Sequence, residues 1–547
     1  MESNIMLYLA IYLVIIGVFV LLILSPLSLF LSFRLFRMTG KKILLTSLAL
    51  AIPSLLLLSL PEIFDWNSWV GYLLTGLLSL GYCSFLFFKI FRGPLTKSIG
   101  LSLSYGLLNM LLISACFFIL SLISRDQPLN PEAKEWLAAK PAKVAEADNL
   151  YYALIGFSAD PSINPHQAGL QCIKEYNGYE QKKALAQKQG TPLPPSPACF
   201  SPKMPSPDKD LDNLCDATKP DCLTRFRTEQ KQFDTLIKKY EFLLDNYIGL
   251  AHYTGYNNDA IRGPETPMIQ AGSILKAHKL FIARTTLNYL KGKRPESLES
   301  LQQEINFQRQ NLLRSDNTLF SMVSVSLLNR DLYLYSELLD QDIAEKSFQK
   351  KLALPLLSDK EKDFTKVLQG EFQFINSIFQ SGTLGLPFES IGRLQKFPQK
   401  FVFKHNTTVN LFFQNHKELL EWSRLPADKR PFSPDIKSAP SFGFLDVGYN
   451  PIGVILLSIT APSFEPYIYR LDNLDGLIRL INVKQRIRHD RIAKEKIEAF
   501  LKQDLVFCKN PYTNQPMTWD AKTETLYFMD PSKEEQKVAV NIPFSIK

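Results

Sequence analysis

Residues 7–33 read LYLAIYLVIIGVFVLLILSPLSLFLSF, an unbroken apolar run without a charged side chain. A bilayer core ~30 Å thick needs about 20 helical residues at 1.5 Å each, so the run predicts a membrane-spanning helix. Residues 43–60, 70–88 and 99–123 are also apolar and uncharged, and together the four runs predict a four-helix transmembrane domain over 1–124. The first is too long for a signal peptide, and Met1-Glu2-Ser3-Asn4 before it lacks a positive flank. Lys and Arg mark cytoplasmic loops. Arg34, Arg37, Lys41 and Lys42 follow the first run, and Lys89, Arg92 and Lys97 follow the third. The loop between the second and third runs has Glu62, Asp65, Trp66 and Trp69 but no cation. This asymmetry predicts a multi-pass bacterial inner-membrane protein with its N-terminus and large C-terminal part in the periplasm.

Composition agrees with a chain of two unlike parts. It has 547 residues and a net charge of +9, too long for one ordinary core. Residues 1–124 hold only the seven cations named above and three acids, Glu2, Glu62 and Asp65, so the remainder carries a dispersed net charge of about +5. A charge so weak and scattered excludes nucleic acid as the expected partner. The apolar runs contain no ionisable side chain, which favours anchoring over transport. Gly71, Gly76 and Gly81 are read as packing positions.

The C-terminal part reads as mainly helical. Asn130 followed by Pro131 and Glu132 is a helix start. Residues 159–222 then lose periodicity and gather ten prolines with Cys172, Cys199, Cys215 and Cys222. Such an insertion needs ties, and two disulfides among these four cysteines are expected, with three connectivities open. No Cys-x-x-Cys pair or neighbouring His pair supports zinc. Cys508 has no evident partner. Apolar stripes at helical spacing follow: Phe233, Leu236, Ile237, Tyr240, Leu243, Leu244 and Tyr247; Leu280, Ala283, Leu287 and Leu290; Val325, Leu328, Leu332, Tyr335 and Leu339. Prolines at 426, 431, 434 and 440 mark a connector, helices are expected near 450–457, 471–488 and 494–502, and residues 518–528 with 538–544 read as a small antiparallel sheet. The expected fold class is therefore a four-helix transmembrane bundle, a mainly α-helical exported domain over 125–425, and a helical segment with a β element over 426–547.

The segment Asn510-Pro-Tyr-Thr-Asn-Gln-Pro-Met-Thr-Trp519, between a helix and a strand, resembles the Asp-Pro-(Phe/Tyr)-(Ser/Thr)-Gly-Lys-Pro tail of bacterial envelope membrane proteins, and also the C-terminal region of major pseudopilins. Asn510 stands where the pattern has Asp and Asn514 where it has Gly. The resemblance covers about 80 residues, implies an envelope setting and implies no catalytic residue.

Chemistry is sparse in the pattern. The six histidines, 166, 252, 278, 405, 416 and 489, form no His-Glu-x-x-His motif. His489-Asp490 and His416-Lys-Glu418 are read as solvated or capping groups, because neighbours that close point apart on a helix. Ser206-Pro-Asp-Lys209 and Ser347-Phe-Gln-Lys350 match Ser-x-x-Lys without its companion motifs. Asp221 with Glu229, and Asp472 with Asp475, are unspecific carboxylate pairs. The segment 251–263, AHYTGYNNDAIRG, is dense in polar and aromatic side chains and suits a polar ligand or a partner. No cofactor and no metal are expected. The favoured reading is a membrane-anchored structural or accessory protein contacting membrane lipid and envelope proteins. The alternatives are an envelope hydrolase or transferase, and an accessory subunit of a transporter.

Overall fold

The computed structural model describes residues 125–197, 209–219, 222–341, 353–381, 403–431, 449–460, 464–533 and 536–544. The chain divides into two compact units, 1–126 with 385–404, and 127–384 with 405–547. Nearly all the described residues belong to the second unit.

The helices of this second unit are α1 (Pro131–Ala138), α2 (Leu150–Ile155), α3 (Pro165–Gln189), α4 (Cys222–Thr228), α5 (Gln230–Lys239), α6 (Glu241–Gly249), α7 (Ala271–Leu290), α8 (Arg294–Arg314), α9 (Thr318–Gln341), α10 (Asp359–Lys362), α11 (Thr365–Ser381), α12 (His405–Arg424), α13 (Pro451–Thr460), α14 (Glu465–His489) and α15 (Ile497–Leu501). Asn130 caps α1 as expected, its side chain accepting from the Glu132 and Ala133 amides. Consecutive helices α7, α8 and α9 pack on one another, and α9 also packs on α14. The stripes explain why: Leu280, Ala283, Leu301, Ile305, Leu328, Leu332 and Tyr335 are all buried in one core. The stripe at 233–247 is divided between α5 and α6 at Tyr240 (φ −113°, ψ 27°), a break that no Gly or Pro announces.

Among the described residues no helix is long and apolar enough to cross a membrane. This corrects the expectation of a four-helix transmembrane bundle and, with it, of a multi-pass inner-membrane location. The long helices are interrupted by charge: α7 carries Lys276, Lys279 and Arg284, and α9 carries Arg330, Asp331, Glu337 and Asp340. The most apolar helix among the described residues, α13, has only 10 residues, about half of what a bilayer needs. The runs at 7–33, 43–60, 70–88 and 99–123 lie outside the described residues.

A second correction falls in the insertion, where α3 runs regularly for 25 residues. Asn164 accepts from the amides of His166 and Gln167, Pro165 opens the first turn, and Gly190 at φ 68° stops the helix. Its buried side is Cys172, Ile173, Tyr176, Tyr179 and Lys183, a helical spacing overshadowed by the prolines that follow. A side chain at Gly169 would meet the Tyr152 carbonyl oxygen at 1.8 Å, so only glycine lets α3 lie this close to α2.

The C-terminal expectation of a small antiparallel sheet agrees with β1 (Thr518–Asp520), β2 (Thr525–Met529) and β3 (Lys537–Asn541), in that order. Trp519 pairs with Leu526, Leu526 with Val540, and Phe528 with Val538. These side chains are buried on the face that packs on α14. Asn514 sits at φ 56°, the left-handed region that Asn tolerates and Gly favours.

Candidate functional site

Gly255 is pinned first, in an isolated parallel bridge to Asn149. The Leu150 amide donates to the Gly255 carbonyl (2.9 Å) and the Gly255 amide to the Asp148 carbonyl (3.1 Å). Asn149 adds a two-sided clasp: its side-chain amide donates to the Asn257 carbonyl (2.8 Å), and its oxygen accepts from the Asn257 amide (2.9 Å). Beside this segment, the turn from α8 to α9 carries Asp316. That carboxylate accepts from the Tyr256 hydroxyl (3.0 Å), Arg262 (3.0 Å) and the Asn317 amide (3.0 Å), while the Tyr256 ring stacks on Phe320 at 4.8 Å. Burial first, and then the Asp316 charge, push the Tyr256 phenol well above its usual range, so it stays a proton donor.

Helix α11 closes the other wall. Gln373 donates to the carbonyls of Trp136 and Ala139, both at 2.8 Å, and so ties α11 to the end of α1. Between these walls lies a cleft of about 380 Å³, within the ~300–1,000 Å³ span of ligand pockets. Pro141, Ala142, Val144 and Tyr256 give it apolar body, and Lys140, Arg262, Arg314 and Lys366 set four cations against the single carboxylate of Asp316.

Only Arg262 of those cations pairs with Asp316. Arg314 donates to the Tyr253 carbonyl (3.0 Å) and to the Asn311 side chain (2.6 and 2.9 Å), and among the described residues no carboxylate pairs with it. Burial pushes its guanidinium down to about 10, the mark of a positive charge short of compensation. Lys366 donates to the Leu313 carbonyl (3.0 Å) and, like Lys140, is exposed and without a carboxylate partner among the described residues. The lining includes no His, Cys or Ser. Four cations around one carboxylate suit the cleft to hold a negative group.

The other sequence candidates scatter. Segment 251–263 contributes Thr254, Gly255, Tyr256 and Arg262 to the cleft, whereas His252 is exposed. Cys215 and Cys222 form a disulfide (Cα–Cα 5.4 Å); Cys172 is also disulfide-bonded, and Cys199 lies outside the described residues. Cys508 is a buried free thiol, pushed up to about 11 by that burial. His416, expected in solvent, is buried against Phe412 at 4.2 Å and Phe464 at 5.4 Å. His489 does reach Asp490 (2.8 Å), because the pair sits where α14 ends and the backbone turns. Asp472 and Asp475 are buried but engaged separately, Asp472 by Arg430 and Asp475 by Arg479 at 3.0 Å; burial raises Asp472 to about 6. Residues 206–208, 221 and 347–350 lie outside the described residues.

Sequence reasoning missed Lys140, Arg314 and Lys366, which come from three distant segments. It also missed a buried constellation of His278 on α7, Glu304 on α8 and Asp331 on α9. One signal for the latter was present: each stands at helical spacing within an apolar stripe, as in Leu328, Asp331 and Tyr335. No family model, curated protein or solved structure matches this chain.

Proposed function

We propose that the helical unit is a protein-binding module whose cleft receives an acidic segment of a partner protein. The observation that carries this reading is the set of Lys140, Arg314 and Lys366 at a cleft whose only carboxylate already serves Arg262. Arg314 is partly buried without a counter-charge, which is costly, and a partner's carboxylates would compensate it and pair with the exposed Lys140 and Lys366 while its apolar stems covered Pro141, Val144 and Tyr256. Such contacts would favour specificity and fast encounter. The mechanism is holding, not turnover: Asp316, Tyr256 and Arg262 brace the wall, and Lys140, Arg314 and Lys366, which pair with no carboxylate among the described residues, select the charge.

The test is affinity purification of the full chain beside the exposed-site double variant Lys140→Glu/Lys366→Glu. The reading expects a partner recovered by the unaltered chain, released as salt rises from 50 to 500 mM (on the order of a threefold drop in Debye length), and lost from the variant. Equal recovery of that partner by the variant would sink it.

A further inference from the structure

The second polar constellation lies in the core, away from the cleft lining. His278, Glu304 and Asp331 come from three successive helices, and one ligand atom of each lies within 4.8 Å of the others. His278 and Asp331 are wholly buried and Glu304 is 8% exposed. We infer that this constellation is a site for a first-row divalent metal ion that ties α7, α8 and α9 together.

Three observations support it independently of the cleft. The first is the donor set, one imidazole and two carboxylates. It suits zinc, manganese, iron(II) or cobalt better than calcium or magnesium, which take oxygen almost exclusively. A neutral imidazole with two carboxylates also balances a dication without residual charge.

The second is incomplete satisfaction. His278 Nε2 meets Asp331 Oδ1 at 2.8 Å, yet His278 Nδ1 and Asp331 Oδ2 are buried without a hydrogen-bond partner. Buried polar atoms are nearly always satisfied, so two orphaned atoms within one constellation point to a missing partner. Arg330, adjacent in sequence to Asp331, is directed instead to Asp216 at 3.7 Å.

The third is an outer layer of the kind that orients metal ligands. Tyr247 and Gln308 both donate to Glu304 Oε1, at 2.5 and 2.6 Å, and Asn311 donates to Gln308 Oε1 at 3.1 Å. The chain Asn311 to Gln308 to Glu304 fixes one carboxylate oxygen and directs the group. Because the ligands are buried, the ion's role is structural: it would replace three costly buried polar groups with a crosslink between helices.

The experiment begins with the full chain produced with zinc, manganese, iron and cobalt salts in turn, followed by elemental analysis. About one ion per chain is expected. Stripping with a chelator should lower the melting temperature, and returning the same ion should restore it. Cobalt(II) bound at the site should give visible d–d absorption of a mixed nitrogen and oxygen environment. Asp331→Asn, nearly isosteric, should abolish ion retention, and Gln308→Leu should weaken affinity roughly 10–100-fold through the outer layer. Should Asp331→Asn fail to fold, Glu304→Gln serves the same comparison. A chain that retains none of the four ions, and whose melting temperature is indifferent to each, would overturn the inference and leave a purely hydrogen-bonded network. Ion retention undiminished in both Asp331→Asn and Glu304→Gln would overturn it too, by placing the metal elsewhere.

Discussion

A methyl group built on Gly370 would stand 1.6 Å from the carbonyl oxygen of Asp316. Helix α11 therefore lies against the α8–α9 turn at a distance that only hydrogen allows, and this contact brings Lys366 and Gln373 to face Arg314 and Asp316 across the cleft. Backbone on both sides leaves nothing flexible to yield. Gly370→Ala should destabilise the unit by about 1–3 kcal/mol or more, and it should push α11 outward. Thermal melting checks the first effect. Under the proposed function, binding of an acidic segment checks the second, and it should weaken more than the loss of folded protein explains.

Arg309 and Glu361 form a buried ion pair at 2.6 and 2.9 Å, and the same guanidinium donates to the carbonyls of Pro355 (2.7 Å) and Leu356 (3.0 Å). Glu361 also completes a capping box with Ser358. One arginine thus docks the 355–361 segment onto α8. Removing one partner strands the other charge, so Arg309→Met should cost about 3–5 kcal/mol. The double variant Arg309→Met/Glu361→Leu should cost less than the two single changes added together. Denaturant melts of all four proteins measure the coupling, and strict additivity would show that the ion pair itself contributes nothing.

Much of the fold was legible where a single segment decides its own fate. The stripes of α7 and α9, the Asn130 cap and the β tail could be read because periodicity, capping and β-branched content are local. Helix α3 was obscured because the prolines beside it dominate the composition, although Asn164, Pro165 and Gly190 mark its ends. The cleft was illegible for another reason. Lys140, Arg262, Arg314 and Lys366 meet only through tertiary packing, and nothing in a lysine's own neighbourhood says which carboxylate it lacks. Segment 251–263 was the one visible part, since its density of polar and aromatic groups is local. The burial of His416 depends likewise on Phe372 and Phe464, far from it in sequence.

The disulfide between Cys215 and Cys222 closes a loop across a sequence separation of 7. Loop-closure entropy for so short a span stabilises by about 2 kcal/mol, so the paired change to alanine should lower stability modestly without unfolding the core. Cys508 differs: it is wholly buried with its thiol raised to about 11. Alkylation in native buffer at neutral pH should spare Cys508 and label it promptly in denaturant. Peptide mapping before and after reduction distinguishes the two, and rapid native labelling of Cys508 would contradict the packing described for it.

His416 makes the unit acid-sensitive through burial alone. Its Nδ1 donates to the Phe412 carbonyl at 3.0 Å, and its ring is packed among Phe372, Phe412 and Phe464. Desolvation is the largest effect on it and lowers its pKa to about 4 from 6.5. The unfolded chain therefore binds a proton at this side chain before the folded one does, and stability falls as pH drops from about 6.5 to about 4. Below that both states are protonated and the contribution becomes flat. A difference of this size corresponds to about 3 kcal/mol across the window. His416→Phe removes the titrating group while keeping an aromatic ring among its aromatic neighbours. The variant should show a visibly shallower loss of stability between pH 6.5 and 4 in denaturant melts taken at half-unit steps. Parallel curves for the two proteins would mean that other buried groups, and not His416, govern the acid limb.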